Sequence, residues 1–153
     1  MHCTVTRTLS APPDRVYALL TDLDGAAGRV RAILRLEKLT PGPVRVGTRW
    51  RETRKMFGRE ASAEMEMKRL DPPRRIEVIC EDDGCTYHAV YELQPEGAGR
   101  TRVTRTFTAE ATGIRKWLMK PMGALMQGTM RKCIEADFDD LERAATEAAA
   151  PSA

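Results

Sequence analysis

The chain has 153 residues, 42% of them hydrophobic and 31% charged, and a net charge of +3. It is long enough for one hydrophobic core, too apolar for a disordered segment, and free of any apolar run of the roughly 18 residues that would cross a bilayer. The basic residues are scattered among acids, which argues against nucleic-acid binding, and the start "MHCTVTRTLSAPPD" lacks the basic opening and apolar stretch of a secretory signal, so a cytoplasmic protein is expected.

Taken in chain order, "TVTRTL" from Thr4 to Leu9 predicts a strand with Val5, Arg7 and Leu9 on one face. "SAPPD" breaks it. Ser10 stands at a helix N-cap position, and Pro13 suits the first turn of a helix over 13–22, with Val16, Leu19, Leu20 and Leu23 at helical spacing. "GAAGRVRAIL" reads as a second short helix, weakened by Gly25 and Gly28, and Ile33 to Lys38 as the start of another strand. "TPGPVRVG" is punctuation. A strand over 48–56 follows, then a turn at Gly58. The strand over 59–70 sets Ala61, Ala63, Met65 and Met67 on one face and Ser62, Glu64, Glu66 and Lys68 on the other. Leu70 breaks the phase, as a bulge or a strand end would, and Asp71-Pro72-Pro73 stops the run.

Three more strands are predicted over 75–81, 85–93 and 100–110, joined by "DDG" and "PEGAG" as consecutive hairpins. One face of them carries Cys85, Tyr87, Ala89, Tyr91 and Leu93, then Val103, Arg105, Phe107 and Ala109. "TGIRKWLMK" begins a helical segment that Pro121 interrupts. Beyond it runs a long amphipathic helix with Leu125, Met126, Met130, Ile134, Phe138, Leu141 and Ala145 in steps of three or four. The expected fold class is α+β: a curved antiparallel sheet of about six to seven strands wrapped around a long C-terminal helix, with two short helices after the first strand. A single domain is expected over residues 1–153, its core at about 3–145 and its tail, 146–153, frayed. Small Ala61, Ala63 and Ala89 opposite deformable Met126 and Met130 predict a cavity between sheet and helix instead of a filled core.

The segments "SAPPDRVYALLTDLD", "VGTRWRETRKMFGREASAEMEMKRLDPPRRI" and "YELQPEGAGRTRVTRTFT", with the closing helix, resemble the START-like or SRPBCC superfamily of polyketide cyclase/dehydrase and lipid-transport-like proteins, related in fold to the major birch-pollen allergen. The resemblance implies a helix-grip fold with a ligand cavity between long helix and sheet. Its members include lipid carriers, hormone-binding proteins, aromatase/cyclases and co-chaperones of a heat-shock ATPase, and fold does not choose among these. Many relatives carry a Trp shortly after the "DLD" turn. Here the region reads "GAAGRV", so a wider cavity mouth is expected near Gly25–Val30.

The expected cavity wall comprises Trp50, Ala63, Met65, Met67, Tyr87, Ala89, Tyr91, Arg105 and Phe107 from the strands, and Trp117, Met122, Met126 and Met130 from the C-terminal third. The phase of the strand over 48–56 is open. Either Trp50, Glu52 and Arg54 point inward, or Arg49, Arg51 and Thr53 do; the family pattern "GTRWRE" favours the first. Glu52, Tyr87 and Arg105 are the candidate catalytic groups: a base, a hydrogen-bond donor to a carbonyl, and a holder of an anionic or enolate oxygen. The plainer account packs the tyrosine rings with their hydroxyls at the rim and pairs Arg7 and Arg105 with Glu52, or with each other's neighbours, as a buried ion pair.

Other chemistry is poorly supported. Cys3, Cys80, Cys85 and Cys133 lack C-x-x-C spacing and read as small buried hydrophobes. His2 and His88 are the only histidines, no nucleotide-binding motif occurs, and neither metal nor other cofactor is expected. The segment "GIRKWLMKPMGALMQG" is either a membrane-touching lip or a connection that packs Trp117 on the shell edge, and no stable membrane insertion is expected. The leading expectation is binding of a small hydrophobic ligand of lipid, isoprenoid or aromatic polyketide type. The alternatives are a polyketide cyclase/dehydratase acting in the same cavity and a protein-interaction module of co-chaperone type. Oligomeric state is left open: the strand over 4–9 offers an edge that could pair with a copy or be shielded by charges such as Arg7.

Overall fold

Period-2 alternation builds the seven strands of the sheet that positions the site. The computed structural model describes residues 1–56, 58–82, 84–118 and 123–149. Strand β1 (His2–Leu9) is followed by helices α1 (Pro13–Thr21) and α2 (Leu23–Arg29). Strands β2 (Ile33–Lys38), β3 (Arg49–Met56), β4 (Arg59–Asp71), β5 (Arg75–Asp82), β6 (Cys85–Pro95) and β7 (Thr101–Ala111) come next, then α3 (Arg115–Leu118) and α4 (Gly123–Ala149). The sheet has seven strands in the order β1-β7-β6-β5-β4-β3-β2, every neighbouring pair antiparallel. This is the expected helix-grip arrangement.

Register lines up the inner-face residues in rows. Trp50 faces Met65, Met65 faces Cys80, and Cys80 faces Tyr87. A second row runs Met67, Val78, Ala89, Phe107 and Cys3, and a third Ile76, Tyr91, Arg105 and Val5. The register slips between Met67 and Arg69, which accounts for the phase break at Leu70. At the β5–β6 turn Gly84 adopts φ +76°, a backbone conformation that a residue with a Cβ rarely enters.

Apolar burial falls into two blocks. One joins Val5, Leu9, Val16, Val103, Ile134 and Phe138, where α4 lies on β1 and α1; the other joins Leu23, Trp50, Met67 and Ile76. Tyr17, Leu20 and Tyr91 pack against both. Helix α4 leans to the β1 side, and the inner faces of β3 to β6 meet α1 and α2 through Tyr17, Leu20 and Leu23. The free edge of β1 is covered in turn: Arg131 Nη2 donates to the Thr4 carbonyl at 3.1 Å, Arg7 pairs with Asp139, and the Ser10 N–H donates to Glu142 Oε2 at 2.9 Å.

Two local expectations are corrected. The N-cap of α1 is Pro12 and not Ser10, because the chain is still extended at residue 12 and the first helical bonds run to the Pro12 carbonyl. Leu125 does not join the buried stripe of α4. It is 74% exposed, and the buried stripe runs from Met130 to Ala145.

Candidate ligand-binding cavity

A cavity of about 1220 Å³ lies between the concave face of the sheet and α4. That exceeds the roughly 300–1,000 Å³ of ordinary ligand pockets. Its size follows from the residues. Ala61, Ala63, Ala89 and Ala109 line the strand side, where their short side chains leave space open. Leu19, Leu20 and Leu23 from α1 and α2, with Ala26 and Val30, add to the wall, so the region after the "DLD" turn borders the cavity.

The wall includes Trp50, Ala63, Met65, Met67, Tyr87, Ala89, Tyr91, Arg105, Phe107, Met126 and Met130. The open phase of β3 is decided: Trp50, Glu52 and Arg54 face inward, while Arg49 and Arg51 reach Glu64 on the outer face. Trp117 is not on the wall. It is 80% exposed, because α3 is a single short turn of helix just past the end of β7. Met122 lies outside the described residues. Arg7 is also off the wall. It sits at the sheet edge with its guanidinium 5.9 Å from the centre of the Phe138 ring.

The polar groups inside form one chain. Trp50 Nε1 donates to Glu52 Oε2 at 3.3 Å, and Arg54 Nε lies 2.7 Å from Glu52 Oε1. Arg54 Nη2 and Arg105 Nη1 then donate to the same atom, Asp137 Oδ2, each at 2.9 Å. The Arg105 guanidinium also lies 5.2 Å from the centre of the Tyr91 ring. Of the open pairings, Arg105 takes Asp137, while Glu52 pairs with Arg54. Among the described residues the buried Nε–H of Arg105 has no acceptor, and that of Arg54, though close to Glu52 Oε1, is not aimed at it.

Charge in this chain is held firmly. Burial disfavours the Arg54 cation, but Asp137 and Glu52 more than offset it and hold its pKa above the usual value. Arg105 is likewise raised against burial, by Tyr91 and Asp137. Burial pushes the Tyr91 phenol up, with Arg105 opposing, so it keeps its proton and remains a donor at neutral pH. Tyr87, stacked on Phe107 with ring centres 6.1 Å apart, is raised by burial and by its neighbour Cys85.

Asp137 is the residue that sequence reasoning missed. It follows Ile134 by three and precedes Leu141 by four, so it falls on the apolar stripe itself. A carboxylate on that stripe is the signal that would have found it. The family sequence model described as "Polyketide cyclase / dehydrase and lipid transport" matches residues 1–146. The chain belongs to this polyketide cyclase/dehydrase and lipid transport family. It therefore belongs to the START-like superfamily that the sequence resembles.

Solved structures agree on the fold of this family member. The protein TTHA0849 from Thermus thermophilus is 26% identical, with a TM-score of 0.81 over 97% of this chain and 99% of its own. The Zhui aromatase/cyclase from a Streptomyces species is 20% identical, with a TM-score of 0.78 over 99% and 96% of the two chains. A START superfamily protein from Mycobacterium smegmatis is 12% identical, with a TM-score of 0.78 over 95% and 97%. No curated protein matches.

Proposed function

We propose that this family member binds a small, mostly apolar molecule carrying one or two uncharged oxygens, such as the ketone, enol or hydroxyl of an isoprenoid or aromatic polyketide. The observation behind this is the charge balance of the inner polar chain: two guanidiniums, Arg54 and Arg105, against two carboxylates, Glu52 and Asp137. A neutral oxygen can accept from the Tyr91 hydroxyl or from a guanidinium without adding charge. A ligand carboxylate would bring an unpaired charge into an apolar space, which is costly. Apolar walls of methionine, alanine and phenylalanine suit the remainder of such a molecule.

A direct test fills the space. Ala89→Phe puts a ring into the cavity at the row of Val78 and Phe107. Uptake of an isoprenoid alcohol, followed by native mass spectrometry, should be seen in the wild type and lost in this variant, while the matching fatty acid binds at least roughly tenfold more weakly to the wild type. Preference for the fatty acid would overturn the reading.

A second reading is catalysis in the same cavity. Glu52 would take a proton while Tyr87 and Arg105 steady an enolised carbonyl, and it draws support from the donors and the carboxylate lining one space. It requires that Glu52→Gln and Tyr87→Phe lose turnover of a poly-β-ketone with the fold intact. Binding to a partner protein instead expects a closed interior, and the open one gives it no support.

A further inference from the structure

One side of the cavity mouth is apolar and basic. Ile114 and Trp117 are each 80% exposed and Leu125 is 74% exposed, the three most exposed large hydrophobic residues among those described. They are interleaved in sequence with Thr112, Lys116, Gly123 and Met126, which line the cavity. The lip thus continues the cavity wall outward. Its base is anchored, because the N–H and Oγ1 of Thr112 both donate to the Gly84 carbonyl, at 3.0 and 3.1 Å, on the β5–β6 turn.

The charge of the lip has one sign. From Ala111 to Ile134 the sequence contains no Asp or Glu, and Lys116 and Lys132 are exposed. Acids bound this stretch at Glu110 and Glu135, and the acids near this side of the cavity lining, Glu60, Asp82 and Glu110, stand on strands β4, β5 and β7. Large apolar side chains exposed together mark an interaction surface. Two copies meeting lip to lip would bring like-charged lysines together, whereas an anionic lipid surface accepts both the apolar groups and the cations.

We propose that Ile114, Trp117 and Leu125, flanked by Lys116 and Lys132, dock this protein on an anionic phospholipid bilayer with the cavity mouth facing the lipid. The apolar side chains enter the headgroup layer and the lysines stay above it with the lipid phosphates. Because no helix of the described residues is long and apolar enough to cross a membrane, attachment is peripheral.

The experiment is co-sedimentation of the full chain with vesicles of phosphatidylcholine alone and of phosphatidylcholine mixed with phosphatidylserine. The protein should pellet with the mixed vesicles, much less with the neutral ones, and progressively less as salt rises. The paired variant Trp117→Ser with Leu125→Ser should lower the partition by roughly tenfold or more. Lys116→Glu with Lys132→Glu should abolish the preference for phosphatidylserine while leaving any weak binding to neutral vesicles. Circular dichroism matching the wild type excludes misfolding as the cause. Equal binding to both vesicle types, wild-type binding by the variants, or a wild-type dimer that the serine variant dissolves would each overturn the proposal, the last by assigning the lip to a second copy.

Discussion

Arg54 on β3 and Arg105 on β7 each reach Oδ2 of Asp137, at 2.9 Å. Three strands separate β3 from β7 in the sheet. In a flat sheet they would stand about 19 Å apart, four spacings of about 4.8 Å. Two side chains from such distant strands share one oxygen because the sheet curls around the cavity, and Asp137 on α4 holds that curl from the helix side.

Asp137→Ala should therefore destabilise the protein strongly. It leaves two buried guanidiniums facing each other without the carboxylate between them, a loss of about 3–5 kcal/mol. Replacing the group together, as Arg54→Met, Arg105→Met, Asp137→Leu and Glu52→Leu, should cost much less than the sum of the single losses, since no charge is left behind. Urea unfolding measures both, and additive losses would show that the groups act independently.

The thiols should react in an order set by position. Cys133 on α4 is half-buried, Cys3 is in the core, and Cys80 and Cys85 are buried on the cavity wall. Burial, with help from Asp82, pushes the Cys80 thiol up, so its thiolate is scarce at neutral pH. Iodoacetamide should modify Cys133 first. Cys80 should follow slowly, more quickly as pH rises, and be protected by a molecule occupying the cavity. Peptide mass mapping over time checks the order, and Cys80 reacting first at pH 7 would contradict it.

On the outer face, Arg75 holds the Glu77 carboxyl below its usual value of 4.5, against partial burial. A carboxyl with a lowered folded-state pKa contributes stability above its unfolded value and loses it as pH falls through the folded one. Glu77→Gln should thus cost roughly 0.2–1 kcal/mol at pH 7. The difference from the wild type should shrink below pH 4.5 and vanish once the folded carboxyl is protonated. Denaturation midpoints measured from pH 7 down to the acid limit of folding follow this directly.

The sequence by itself determined the elements and their faces. Alternation in "ASAEMEMK" set Ala63, Met65 and Met67 against the cavity, and the steps from Met130 to Ala145 set the buried stripe of α4, because both signals are periodic within one segment. Small alanines opposite methionines made the cavity itself legible. Only the tertiary structure decided the phase of β3, the partner of Arg105 and the place of Trp117. Whether Arg105 met Glu52 or Asp137 depended on how far the sheet curls and where α4 crosses it, which are properties of strands and a helix far apart in the chain. Trp117 was equally undetermined: a residue next to a turn packs inward or stands in solvent according to what else arrives to cover it, and no local pattern carries that information.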